Sequence, residues 1–174
     1  MTCLNKILVL VLSFVVFNTR GQQDFKTNNN LKAIYVYNFT TLVDWPKEFK
    51  QNDFVIGVLG DQGLVDVLTQ KYSSKNVGAQ PIKIKAYKNE TEVDQCHILF
   101  IANSQSATVT RLSKKLTKYS TLIVAESAGA LESGACINFT AKDNKLAYEL
   151  SKSNTERIKL ILGKTILELA VKVS

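Results

Sequence analysis

Hydrophobic positions recur at helical spacing in residues 31–46, LKAIYVYNFTTLVDWP. The pattern predicts an amphipathic helix that Asn30 caps and Pro46 ends, because the residue before a proline is pushed out of the α region. Asn38 lies at the centre of its apolar stripe, where a buried amide would need hydrogen-bond partners, so we expect Asn38 to be buried and bonded to backbone. The stripe comprises Leu31, Ile34, Tyr35, Asn38, Phe39, Leu42 and Trp45.

Beyond this helix, short apolar runs alternate with amphipathic segments. Three of the runs are continuously apolar, which is typical of strands buried on both faces, and a fourth alternates as a half-exposed strand. Such alternation predicts a mostly parallel sheet covered on both sides. The strands are predicted at residues 54–59, 82–87, 96–102 and 121–125, and the helices at residues 62–72 and 104–119.

The pattern changes after the third buried run. Residues 136–142 and 145–150 alternate apolar and polar side chains and predict an antiparallel hairpin, and residues 154–171 carry the pattern of a closing amphipathic helix. The predicted fold is an α/β three-layer sandwich with a mostly parallel central sheet, a C-terminal antiparallel hairpin and an added N-terminal amphipathic helix. We expect it to form one domain over residues 31–174.

The first residues are typical of a secretory signal peptide. Lys6 precedes an eleven-residue apolar run at 7–17, and small residues follow near Gly21. The run is too short to span a bilayer as a helix, although an uncleaved anchor is the alternative. Cleavage after Gly21 would remove residues 1–21, leave residues 22–30 as a flexible polar segment, and deliver an exported protein without membrane insertion.

Charge and candidate chemistry exclude several function classes. The chain has a formal net charge of +7, but its lysines are dispersed, which is typical of a solvated surface and not of a nucleic-acid groove. His97 is the only histidine, so neither a zinc set nor a Ser–His–Asp triad is complete, and we expect His97 to be buried and hydrogen-bonded. No enzyme activity, metal or cofactor is predicted.

One stretch occupies a position where ligands bind in α/β sheets. Gly60 and Asp61 follow the first buried strand and open a helix, although Asp61 would repel a phosphate. With Ser104 and Ser127, which follow the other buried strands, they could line a cleft for a small ligand. An ordinary strand-to-helix turn is the alternative interpretation.

The two cysteines of the exported chain, Cys96 and Cys136, each begin an apolar strand. An oxidising compartment permits a disulfide, whereas apolar neighbours favour burial as free thiols. The sequence does not set the geometry that a bridge requires, so both states stay open. Our prediction is two buried free thiols.

The ordered set of motifs resembles the YfiR-like family of bacterial periplasmic regulators. The resemblance covers residues 31–169 and rests on a K-A…Y-N-F…W-P helix, a G-D strand end, a C-H-x-L-F-I strand and a hairpin entry. The matching residues are Lys32, Ala33, Tyr37, Asn38, Phe39, Trp45, Pro46, Gly60, Asp61, Cys96, His97, Leu99, Phe100, Ile101, Gly134, Ile137, Asn138 and Phe139.

This resemblance implies a non-enzymatic protein, expected to be a homodimer, that binds and represses the periplasmic part of a membrane-bound diguanylate cyclase. Such control would act on cyclic di-GMP and biofilm formation, with a sensor kinase or a transporter as alternative partner. Disulfides act as a redox handle in the best-known branch, but Gly57 stands where that branch often has a cysteine, and Ala135 replaces the second glycine of a G-G pair. A periplasmic small-ligand-binding protein is the alternative function.

Overall fold

The structure, a computed structural model, describes residues 20–174, with side chains from Asn29 onward. The helices are α1 (Arg20–Leu42), α2 (Gln62–Tyr72), α3 (Val109–Leu116), α4 (Lys152–Arg157) and α5 (Lys164–Glu168). The strands are β1 (Val43–Asp44), β2 (Phe54–Leu59), β3 (Asn76–Val77), β4 (Gln80–Tyr87), β5 (Ile98–Ile101), β6 (Leu122–Ala125), β7 (Ile137–Lys142), β8 (Lys145–Leu150), β9 (Ile161–Leu162) and β10 (Lys172–Val173). The predicted signal peptide lies outside the described residues except for the first two residues of α1.

The central sheet has the strand order β10-β8-β7-β6-β5-β2-β4-β3. β4, β2, β5, β6 and β7 are parallel neighbours, and β7 and β8 form the predicted antiparallel hairpin. Because β2 lies between β4 and β5, the chain leaves β2 toward one side of the sheet and later returns to the other. The carboxyl ends of β2 and β5 therefore flank a topological switch point, where α/β sheets usually bind ligands.

Alternate side chains along each strand supply two separate hydrophobic cores. One core joins the sheet to α1, α2 and the C-terminal segment, through residues such as Phe39, Leu64 and Ile166. The other joins the opposite face to α3 through Val109 and Leu112. The three-layer α/β sandwich is therefore confirmed. No helix in the described part of the chain is both long and apolar enough to cross a membrane.

The helix α1 buries a different stripe from the predicted one. Its buried side chains in the described range are Asn29, Lys32, Ala33, Val36, Phe39 and Thr40. Leu31 and Ile34 are each 41% exposed, and Asn38 is exposed as well, so the prediction of a buried Asn38 is wrong. Apolar side chains lie on two sides of this helix. The prediction chose the side with more aromatic residues, which is not the side that the structure buries.

The bounds of three predicted helices also differ. The helix predicted over residues 104–119 is α-helical only at α3 and has 3₁₀ turns on both sides, Asn103–Thr108 and Thr117–Tyr119. α1 begins at Arg20, so Asn30 does not cap it, and it ends at Leu42, where the chain turns into β1. The predicted closing helix at residues 154–171 is instead two short helices, α4 and α5, separated by β9, which pairs with β1. Lys159 adopts a left-handed conformation (φ +61°), which interrupts helical geometry between them.

Candidate functional site

A buried ammonium group occupies the switch point at the carboxyl edge of the sheet. The Nζ of Lys32 lies 2.5 Å from Oε2 of Glu126 and 3.6 Å from Oδ2 of Asp61. It also lies 5.5 Å from the centre of the Phe100 ring. The Lys32 side chain is only 7% exposed, and a lysine is rarely buried unless it is paired.

Each member of this cluster is placed by the end of a structural element. Asp61 directly follows Gly60 after β2, caps α2 by accepting from the Leu64 amide (2.9 Å), and accepts from Asn29 Nδ2 (3.4 Å). Glu126 directly follows β6 and accepts from the amide of Asn103 (3.4 Å). The cluster therefore ties α1 to the loops that follow β2 and β6, which lie on either side of β5 in the sheet.

The predicted ligand cleft is assembled only in part. Gly60 and Asp61 lie at the carboxyl edge, and Ser104 is beside them, since a Cβ built on Gly60 would lie 3.1 Å from Ser104 Oγ. Ser127 is buried near the same edge, and its amide donates to Oδ1 of Asn138 (3.1 Å). Lys32, from α1, pairs with Asp61, so this carboxylate already has a partner within the protein.

Sequence reasoning did not place Lys32 or Glu126 in a site. The sequence nevertheless contains a signal for both acidic residues. Glu126 directly follows one buried apolar run, and Asp61 follows another after a single glycine. Lys32 and Asp61 also both belong to the motifs that carry the family resemblance. The contact between Lys32 and Asp61 depends on how α1 packs on the sheet, and the sequence does not show this packing.

The other motif residues of α1 and its exit have structural contacts. Phe39 packs edge-on against Tyr148, with ring centres 5.4 Å apart, and Tyr37 stacks on Tyr72 at 4.1 Å. Trp45 is buried, donates from Nε1 to the Ser120 carbonyl (3.1 Å) and packs edge-on against Phe54 at 5.0 Å. Half-buried Pro46 precedes a single 3₁₀ turn, Lys47–Phe49.

His97 is a structural histidine at the opposite end of the strands. It is 6% exposed and stacks on Phe54 at 4.3 Å. The Val55 amide donates to its Nδ1 (3.1 Å), so Nε2 carries the proton and donates to the Phe49 carbonyl (2.7 Å). Burial lowers the pKa of His97, and the bond to Phe49 opposes that shift only in part. Both nitrogens are occupied, as we predicted for a buried, hydrogen-bonded histidine.

Both cysteines are buried as free thiols. β6 lies between their strands, so they are separated by two strand spacings, about 10 Å, which exceeds the span of a disulfide. They also belong to cores on opposite faces of the sheet. Burial raises the pKa of Cys96 to about 12 and that of Cys136 to about 11, so neither is a reactive thiolate at neutral pH.

The exposed large apolar side chains belong to α1 and to the C-terminal segment, which pack on the same side of the sheet. All six large hydrophobic residues that are exposed in the described part lie on α1 or in residues 161–173: Leu31, Ile34, Ile161, Leu169, Val171 and Val173. We call these six residues the apolar face. α1 packs against both α5 and β8, so the six residues belong to elements that adjoin one another.

The pairing of β10 with β8 shows on which side of the sheet Val171 and Val173 lie. Val173 pairs with Leu150, and the Val171 amide donates to the Tyr148 carbonyl (2.9 Å). In parallel pairing, partners point to the same side of a sheet, so both valines lie on the side that α1 covers. β10 is an edge strand, and no other strand of the described chain pairs with its outer side.

The structure is an α/β domain with a buried, ion-paired lysine at the carboxyl edge of its sheet and a set of exposed apolar side chains. Comparison with protein families matches residues 29–171 to the YfiR/HmsC-like family, and the chain belongs to that family. Its members are periplasmic regulators of diguanylate cyclases and are regulatory rather than catalytic. A comparison with curated proteins gives no match.

Metal chemistry has no support in the described residues. No three His, Cys, Asp or Glu side chains converge there into a group that could hold a metal ion. The acidic pair at the carboxyl edge is neutralised in part by Lys32, which further disfavours a cation at that position.

Proposed function

We propose that this protein is a periplasmic regulator that binds the periplasmic part of a membrane-bound diguanylate cyclase and holds the enzyme inactive. The observation that carries the proposal is the apolar face. Large exposed hydrophobic side chains gathered on one side of a small domain are typical of a protein-protein interface. Membership of a family of cyclase regulators supports the same partner class.

Charge favours an acidic partner surface around that apolar centre. Residues 142–174 carry seven basic side chains against four acidic ones. Three of the lysines, Lys159, Lys164 and Lys172, are interspersed along the chain with the C-terminal members of the apolar face. Such an arrangement would accelerate association with a negatively charged partner and would disfavour pairing with an identical basic surface.

The small-ligand alternative has less support. That function requires an open cleft lined by Asp61, Ser104 and Ser127, but Asp61 is engaged by Lys32 and Asn29. A ligand would therefore have to displace the protein's own contacts before it could bind.

The test uses cells of the source bacterium that lack the gene. Loss of the protein should raise cyclic di-GMP, and the wild-type gene should lower it again. Leu169→Glu and Ile161→Glu should fail to restore repression, because a charge at an interface centre weakens binding by about tenfold or more. Thr110→Glu, an exposed position on α3 on the opposite side, is the matched control and should repress normally.

Two results would contradict the proposal. One is a cyclic di-GMP level that does not change when the gene is deleted. The other is full repression by Leu169→Glu and Ile161→Glu at normal protein abundance, which would remove the apolar face from the interface.

A further inference from the structure

One hydrogen-bonded ring holds an exposed segment against the amino edge of the sheet. Residues 47–53, which we call the connector, lead from Pro46 into β2. The His97 ring donates from Nε2 to the Phe49 carbonyl in this connector (2.7 Å). Its Nδ1 accepts from the amide of Val55 in β2 (3.1 Å). One side chain, directly before β5, therefore contacts both the connector and the strand that follows it.

The connector has few other contacts that keep it closed. Gln80 supplies the other two side-chain hydrogen bonds that its carbonyls receive within the described part of the chain, at Phe49 (3.1 Å) and Gln51 (2.9 Å). The exposed side chains of the connector are those of Lys47, Glu48, Lys50, Gln51 and Asn52. Segments with exposed side chains and few buried contacts open at a small cost in free energy. Loss of the His97 bond would therefore favour opening of the connector.

Only the neutral His97 ring fits between these two partners. The Val55 amide is a donor, so Nδ1 must accept, and a second proton on Nδ1 would face the Val55 N–H. The ring is 6% exposed and stacks on Phe54, which offers no counter-charge. An imidazolium would have to leave this position and give up its bond to Phe49.

The charged and titratable groups of the neighbouring elements do not compensate an imidazolium. They are exposed, paired with one another or uncharged. Lys47 and Glu48 are exposed, Lys50 pairs with Asp44 (2.5 Å), Asp53 with Lys83 (3.7 Å) and Asp94 with Lys85 (2.7 Å), and Lys118 lies over the Tyr119 ring. The thiol of Cys96, next to His97 in the chain, stays protonated because burial raises its pKa to about 12. Protonation of His97 is therefore coupled to release of the ring.

We propose that His97 is a pH sensor: in mild acid the protonated ring leaves Phe49 and Val55, and the connector opens while the sheet stays folded. The sheet is retained because β5 keeps its hydrogen bonds to β2 on one side and to β6 on the other. Burial, which lowers the pKa of His97, places the transition below the ordinary value of about 6.5.

Opening of the connector would reach the apolar face through β1. Trp45, between β1 and the connector, lies edge-on to the His97 ring, with ring centres 6.1 Å apart. Asp44 of β1 pairs with Ile161 of β9, which is 67% exposed and belongs to the apolar face. A loosened β1 would therefore displace Ile161 and weaken partner binding in acid. This consequence, unlike the sensor itself, rests on the proposed function.

The first experiment uses the wild-type protein and its one tryptophan, Trp45. Its emission should shift to longer wavelength along a single sigmoid between pH 7.5 and pH 5.0, because opening exposes the indole to water. The midpoint should lie below about pH 6.5, with unchanged far-UV circular dichroism. Constant emission would overturn the proposal. So would a shift that coincides with loss of the circular dichroism signal, because the protein would then be unfolding as a whole.

Cleavage by a glutamate-specific protease tests the opening itself. Glu48 lies in the connector, whereas Glu149 lies in β8. His97→Gln is the matched control, because its side chain does not titrate. From pH 7.5 to pH 5.5, the rate of cleavage after Glu48 in wild type relative to His97→Gln should rise about fivefold, since proteolysis follows the population of the open form. The pH dependence of the protease cancels in this ratio.

Two outcomes of the cleavage experiment would overturn the proposal. One is a ratio that does not change with pH. The other is a first cut in wild type after Glu149, which would mean that the whole sheet opens. Neither the emission nor the cleavage measurement contains a partner, so these failures are distinct from a failure of cyclase repression.

Discussion

Protonation of His97 should destabilise the folded protein in mildly acidic conditions. The ring accepts from the Val55 amide through Nδ1 and donates to the Phe49 carbonyl through Nε2. A second proton on Nδ1 would face the Val55 N–H and place a charge in a buried position that is 6% exposed. Burial accordingly lowers the pKa of His97 below its ordinary value.

The sign of the pH dependence follows from that lowered pKa. The unfolded chain takes up a proton near pH 6.5, whereas the folded chain resists it to a lower pH, so the unfolded state binds more protons in between. The stability that neutral His97 provides is fully present above about pH 6.5 and is lost as the pH falls through the folded-state value. The loss approaches about 1.4 kcal/mol for each pH unit in that interval.

The assay compares wild type with His97→Gln, whose amide can offer one acceptor and one donor but does not titrate. Urea unfolding at pH 7.0 and pH 5.5 gives four free energies of unfolding. His97 is the only histidine, so no other imidazole titrates in this interval. The carboxylates are the same in both proteins, so their effects on the free energy of unfolding cancel. We expect wild type to lose more stability than His97→Gln over this interval, with an upper limit of about 1.4 kcal/mol per pH unit. Equal losses would refute the assignment of a buried, neutral ring.

Three further outcomes follow from the packing. Asn38→Leu should change the free energy of unfolding by less than about 0.5 kcal/mol in urea titration, because Asn38 is exposed. Gly57→Ala should cost about 1–3 kcal/mol by the same titration, because the new Cβ would lie 2.6 Å from the Tyr87 ring; an unchanged midpoint would contradict this packing. Denaturing titration should find free thiols at both Cys96 and Cys136, with a thermal midpoint insensitive to reductant, and zero thiols would refute this.

The sheet could be predicted from the sequence because its strands are buried on both faces. Continuous apolar runs located β2, β5 and β6 to within two residues, and α2 falls on the predicted range of residues 62–72. The hairpin of β7 and β8 was equally clear from its alternation around Asp143-Asn144. Periodicity is reliable where an element buries the same kind of surface along its whole length.

The C-terminal segment was predicted incorrectly because its apolar residues do not form one buried stripe. Only Ile166 is buried among residues 161–174. β9 is instead held by pairing with β1, and β10 by pairing with β8. Hydrogen bonds to distant strands, which no local pattern reveals, decide the conformation here.

The sequence alone determined the layers, the hairpin and the location of Asp61 at the carboxyl edge, because these follow from local periodicity and from the general geometry of parallel sheets. Only the tertiary structure decided which side of α1 is buried. Lys32 reaches Asp61 and Glu126 from positions 29 and 94 residues away in the chain, and Leu31 and Ile34 face outward on the other side of the helix. A buried ion pair between distant segments leaves no periodic signal, so its partners emerge only from the folded arrangement.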